Sequence, residues 1–125
     1  MNHDFEQLSS RIIEAAIAVH KELGPGLYES TYETAMKVAL RNRHLAYFTQ
    51  KEVKIFFEGE EVGLHRLDLT VYDAECEIVV ELKAVESLAD IHYAQVKAYL
   101  KASRLRIGLL LNFNSPTLVI KRIVL

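Results

Sequence analysis

Val79-Val80-Glu81-Leu82-Lys83-Ala84 is an apolar run interrupted by one acid and one base. Read as a strand, it places side chains at i and i+2 on one face, so Glu81 and Lys83 project together while Val80, Leu82 and Ala84 project to the other side. Two readings follow: an ordinary exposed charged pair on the solvent side of a strand, or the centre of a site. The spacing alone does not separate them, and the neighbouring segments have to.

Upstream, Val62 to Tyr72 alternates Leu67, Leu69 and Val71 with Arg66, Asp68 and Thr70. The alternation predicts a strand in which Asp68 points away from the leucines. Residues 47 to 57 form another, with Val53, Ile55 and Phe57 against Glu52, Lys54 and Phe56, followed by a turn at Glu58-Gly59-Glu60. A two-residue hairpin at Ala74-Glu75 would pair Asp73 with Cys76 and, counted outward, set Asp68 directly opposite Glu81 on one face. Opposed residues have Cβ atoms roughly 4.5–5.5 Å apart, and like charges at that distance need a cation between them. Lys83 is one candidate and a divalent metal ion accepting both carboxylates is the other. One extra turn residue would make a bulge and shift the register.

Downstream, Ser87-Leu88-Ala89-Asp90 has the form of a capping box with Ser87 as N-cap, opening a helix to about Ala102. His92, Gln95 and Tyr99 share one face of it, and Lys97, Lys101 and Arg104 form a solvated back. Ile107 to Phe113 is the nearly all-apolar pattern of a strand buried on both faces, and Leu118 to Val124 is the last strand.

Two helices precede the strands. Ile12, Ile13, Ala16, Val19 and Leu23 recur at helical spacing from about Phe5 to Leu23, where Gly24-Pro25-Gly26 ends the helix. His20, near that stripe, reads as a core-edge histidine bonded to backbone. The second helix is expected from Leu27 to about Asn42 on a buried face of Tyr28, Tyr32, Ala35, Met36, Ala39 and Leu40. Glu29, in its first turn, complements the helix dipole when taken alone.

At 125 residues and 50% hydrophobic content, residues 1–125 read as one domain. Fifteen Lys+Arg against 17 Asp+Glu leave a net charge of -2, no global basic signal for nucleic acid or an anionic membrane. The single cysteine, Cys76, has no partner for an internal disulfide and suits a reducing compartment. Met1 to Glu6 lacks the basic start and apolar run of a signal peptide, and no apolar stretch is long enough to span a bilayer, so the expected location is cytoplasmic, with no membrane partner.

Carboxylate oxygens without clustered Cys or His suit hard cations, so Asp68 and Glu81 favour Mg²⁺ or Mn²⁺ over zinc. A metal held there can neutralise a phosphodiester oxygen and lower the pKa of a bound water, with Lys83 as a compact charge beside it. The implied task is phosphodiester hydrolysis.

Asp68, followed after a hairpin by Glu81-Leu82-Lys83, resembles the D…(D/E)-x-K signature of the PD-(D/E)XK nuclease superfamily. Gly26-Leu27-Tyr28-Glu29-Ser30-Thr31-Tyr32 is similar to the G-x-x-E-x-x-Y signature of its GxxExxY family, and Leu23-Gly24-Pro25-Gly26, Ile91-His92-Tyr93-Ala94-Gln95 and Leu111-Asn112-Phe113-Asn114 look like that family too. The superfamily's proline before the aspartate is Leu67 here. The resemblance implies an α+β fold with a restriction-endonuclease-like αβββαβ core, a mixed central sheet flanked by helices. It further implies a Mg²⁺-dependent nuclease acting on DNA, with Mn²⁺ as an alternative ion and a homodimer as the assembly. Asp68, Glu81 and Glu29 would hold the metal and Lys83 would be the catalytic lysine. Gln95 and Tyr99 match a Q-x-x-x-Y helix motif that touches the site or the nucleic acid backbone, and Tyr32 and His92 join them as substrate contacts. The competing expectation is a module that binds nucleic acid or protein on the same fold without catalysis.

Overall fold

In the computed structural model, which describes residues 2–125, helix α1 (Asn2–Leu23) buries Leu8, Ile12, Ala15, Ala16 and Val19 along one stripe. Met1, the first residue of the N-terminal segment expected not to be a signal peptide, lies outside the described residues. Among the described residues, no helix is long and apolar enough to cross a membrane. The helix stops at Gly24, whose φ of +68° is the left-handed cap that a side chain would strain.

Helix α2 (Glu29–Asn42) begins two residues later than its apolar pattern suggests. Tyr28 is its N-cap in extended conformation, with no side-chain cap, and is exposed rather than part of the buried face. The entry is held instead by Tyr32, whose hydroxyl donates to Gly24 O at 2.6 Å and accepts from Leu27 N–H at 3.1 Å. Its ring stacks on Phe113 at 4.7 Å. From the other side, Asn114 Oδ1 accepts from Gly26 N–H at 3.1 Å. The loop before Glu29 is thus tied to the core at both ends, which fixes where Glu29 stands.

Strands β1 (Ala46–Phe57), β2 (Glu60–Tyr72), β3 (Glu77–Lys83), β4 (Ile107–Asn112) and β5 (Val119–Val124) form one sheet in the order β1-β2-β3-β4-β5. All neighbours are antiparallel except β3 and β4, which run parallel across helix α3 (Asp90–Ser103). The β1-β2 turn is Glu58-Gly59, with φ of +48° and +83°, the two-residue hairpin geometry whose twist suits the flanking strands. Glu60 already belongs to β2. Helices α1 and α2 cover one sheet face, packing on Leu69, Val71, Ile78, Val80, Leu82, Leu109 and Leu111. Helix α3 covers the other with Val96 and Leu100 over Val53, Leu67, Val79, Leu110 and Ile123.

That partition corrects one expectation. Leu67 and Leu69 are two residues apart, yet Leu67 is buried beneath α3 and Leu69 beneath α1 and α2. Pairing runs Thr49↔Leu69 and then Lys51↔Leu67, and the intervening Gln50 has a φ of +53°. Both strands therefore change phase at Gln50 and Asp68, and the outer half of the hairpin turns its odd-numbered residues toward α3.

The start of α3 is also corrected. Ser87 is not the cap; Ala89 is, and its N–H is taken by His92 Nδ1 at 2.9 Å. Helix α3 approaches β4 closely at Gly108, where a Cβ would stand 2.8 Å from Val96 Cγ1. Gly108→Ala is expected to lower stability by about 1–3 kcal/mol through overpacking, read as a lower urea midpoint with unchanged slope.

Candidate active site

The β2-β3 turn has the two-residue form that the register requires. Asp73 N–H donates to Cys76 O at 3.0 Å, and Asp73 Oδ1 accepts from Glu75 N–H and Cys76 N–H at 2.8 and 2.9 Å. From there the ladder runs Tyr72↔Glu77 to Leu69↔Val80, and the next pair in that register is Asp68 and Glu81. Here side chains replace the backbone ladder. Leu82 N–H donates to Asp68 Oδ2 at 3.2 Å, and Asp68 N–H lies 3.4 Å from Glu81 Oε1. The phase change in β2 and these two bonds seat the carboxylates side by side under α3.

Glu81 is only 4% exposed. Burial, and then the charge of Asp68, push its pKa up to about 8, against the lowering effects of the Asp68 N–H and Lys83. Two adjacent carboxylates, one deeply buried, form a donor set that wants a cation. Lys83 lies two residues on, half-buried, and its strand continues in register beside Asn112. Its ammonium makes no ion pair within 4 Å among the described residues. Just beyond, Asn112 clamps the chain, its Nδ2 donating to Val85 O at 2.9 Å and its Oδ1 accepting from Val85 N–H at 3.1 Å. A polar residue closing an otherwise apolar strand was a signal for this clamp.

Glu29 reaches the same end of β3 from the first turn of α2. It accepts from the Ala84 backbone and feels both Lys83 and Asp68. Desolvation of its carboxyl end raises its pKa, Lys83 opposes this and Asp68 adds to it, although the residue as a whole is exposed. Tyr99, half-buried on α3, has its phenol pKa raised by burial and by the charges of Glu81 and Asp68. Gln95 lies one turn earlier on α3, half-buried.

Other residues singled out in the sequence make bonds of their own. Tyr32 is fully buried with its hydroxyl spent on the loop before α2, so it cannot meet a substrate without unpacking. His92 serves the start of α3. His20 Nε2 is 2.9 Å from Ser115 O, a backbone-bonded core histidine. Sequence reading missed His65, which stacks on Tyr99 at 3.6 Å between ring centroids. In an unbroken strand a residue three before Asp68 would face away, so no pattern pointed to it.

Among the described residues, no group of three or more His, Cys, Asp and Glu is close enough to hold a metal alone. Two carboxylates are oxygen donors of the kind that hard divalent cations take.

The Glu81 shift makes a pH prediction. Its raised pKa means that the folded chain binds a proton which the unfolded chain releases near 4.5. The stabilisation is complete below that value and is lost as pH rises through about 8. In chelator, Glu81→Gln is expected to gain on wild type by on the order of 3 kcal/mol between pH 5 and 9, measured by urea unfolding. Glu29 has the same sign and His65, whose pKa burial lowers, the opposite. Both are present in the variant and cancel in the difference.

A family model described as the PD-(D/E)XK nuclease superfamily matches residues 6–123. No curated protein matches the sequence. The crystal structure of SSO0001 is similar with a TM-score of 0.57 and 19% identity, over 76% of this chain and 48% of that one. This chain thus spans about half of its length, and the likeness is one of fold. Three helices on a mixed five-stranded sheet are consistent with the restriction-endonuclease-like fold. With nearly the whole length matched, this chain belongs to the PD-(D/E)XK nuclease superfamily.

Proposed function

We propose that this chain is a metal-dependent nuclease of the GxxExxY family that hydrolyses phosphodiester bonds of DNA. The observation that carries the reading is the interlocked Asp68–Glu81 pair at the end of the β2-β3 ladder, with Lys83 beside it making no ion pair among the described residues. Nucleases of this superfamily typically use divalent metal ions, and these two carboxylates would hold Mg²⁺ or Mn²⁺. When bound, that ion neutralises charge on a phosphate oxygen and lowers the pKa of a water.

The chain's own groups do the rest. Asp68 and Glu81 would fix the ion's place, because each is held by a backbone N–H of the opposite strand. Lys83 orients the attacking water and offsets the negative charge that develops as the bond to phosphorus forms. Glu29 adds a negative charge on the Lys83 side of the pair, while Tyr99 and Gln95 on α3 border the face that receives the nucleic acid backbone. One copy carries one such site, so cutting both strands of a duplex calls for two.

The test is a cleavage panel of linear, nicked, branched and single-stranded DNA with Mg²⁺ and Mn²⁺, Lys83→Ala serving as control. Divalent-dependent cleavage by wild type alone is expected. Equal cleavage by both proteins would identify a contaminant and overturn the assignment. Tight binding without turnover across the panel would favour the competing reading, a non-catalytic binding module, which the net charge of -2 supports and the intact set of Asp68, Glu81 and Lys83 counts against.

A further inference from the structure

The geometry points to His65 as a positioning residue that holds Tyr99 over the Asp68–Glu81 pair. The inference rests on the nuclease reading for its activity arm only. The two rings are nearly parallel, with an interplanar angle of 13° and centroids 3.6 Å apart. One comes from the outer half of β2 and the other from α3. Both lie at the site: His65 feels the charges of Asp68 and Lys83, and Tyr99 those of Glu81 and Asp68.

What holds each ring decides the role. His65 Nε2 is buried and has no hydrogen-bond partner among the described residues, so that nitrogen does not anchor the imidazole. The ring instead lies stacked on Tyr99. A buried nitrogen without a partner costs stability, whereas a parallel ring fixes its neighbour's plane. The phase change at Gln50 and Asp68 turns residue 65 toward α3. The same irregularity therefore seats Asp68 beside Glu81 and delivers the ring that fixes Tyr99.

The test compares wild type, His65→Phe and His65→Ala at saturating Mn²⁺ on whichever DNA wild type cleaves best, alongside the Tyr99 χ1 rotamer read from NMR couplings in metal-free protein. Wild type and His65→Phe are expected to show one Tyr99 rotamer and similar kcat, and His65→Phe to unfold at higher urea. His65→Ala is expected to average the rotamer and lose about tenfold or more in kcat, with Mn²⁺ affinity within twofold of wild type. A single fixed Tyr99 rotamer in His65→Ala, or failure of His65→Phe to restore kcat, would overturn the inference. If wild type cleaves nothing, the nuclease reading fails and the rotamer still decides whether His65 places Tyr99.

Discussion

Lys83→Ala is expected to lower divalent-dependent cleavage by about 10²–10³-fold, the loss typical of removing one preorganised group that stabilises developing charge. The expectation rests on where the ammonium stands. It shares a strand face with Glu81, lies near Asp68 and Glu29, and is not consumed by an ion pair. Because Lys83 makes no side-chain hydrogen bond among the described residues, folding should survive the change. Its charge lowers the pKa of both Glu29 and Glu81, so the variant should retain its proton on Glu81 to higher pH. Loss of cleavage with an intact urea transition, and Mn²⁺ binding retained above pH 8, is the pattern sought. A Lys83→Arg variant that recovered full rate would mean that charge alone matters at this position, since Arg lacks the compact geometry of an ammonium.

The second large effect has opposite signs in two measurements. Asp68→Asn should abolish cleavage and weaken Mn²⁺ binding more than about tenfold, because a neutral amide is a poor ligand for a hard cation. The same change should stabilise the metal-free protein at pH 8 by about 1 kcal/mol. Asp68 charge is the second cause of the raised Glu81 pKa, and removing it lets the buried carboxylate ionise at lower cost. The amide oxygen can still accept from Leu82 N–H in the place of Oδ2. A residue kept for structure would lose stability on substitution. Loss of metal binding together with a gain in stability is the signature of a carboxylate held in place for a cation.

How much of this was legible depends on whether the cause was local. The Asp68–Glu81 register could be counted because the turn is short: Asp73 satisfies its own loop, and a two-residue turn leaves no freedom in the ladder. The face on which Leu67 lies could not be counted, because the phase change depends on Gln50 adopting positive φ against β2. Nothing in a glutamine announces that, as a glycine would. His65 was hidden by the same step. The Ser87 signal failed because capping signals are permissive, and His92 satisfied the Ala89 N–H instead. Tyr32 belongs to a recognisable signature, yet its place is set by two loop backbone groups and by the ring of Phe113, which is distant in sequence. Glu29 read alone was a dipole charge, and only the packing of α2 against the end of β3 brings it to Lys83 and Ala84.

The central claim is that the two carboxylates form a metal site, and locating the ion tests it most directly. Crystals soaked in Mn²⁺ and measured at the manganese absorption edge should show one anomalous peak between Asp68 and Glu81, absent from Asp68→Asn crystals soaked alike. No peak there at saturating Mn²⁺, or a peak that persists in Asp68→Asn, would contradict the account.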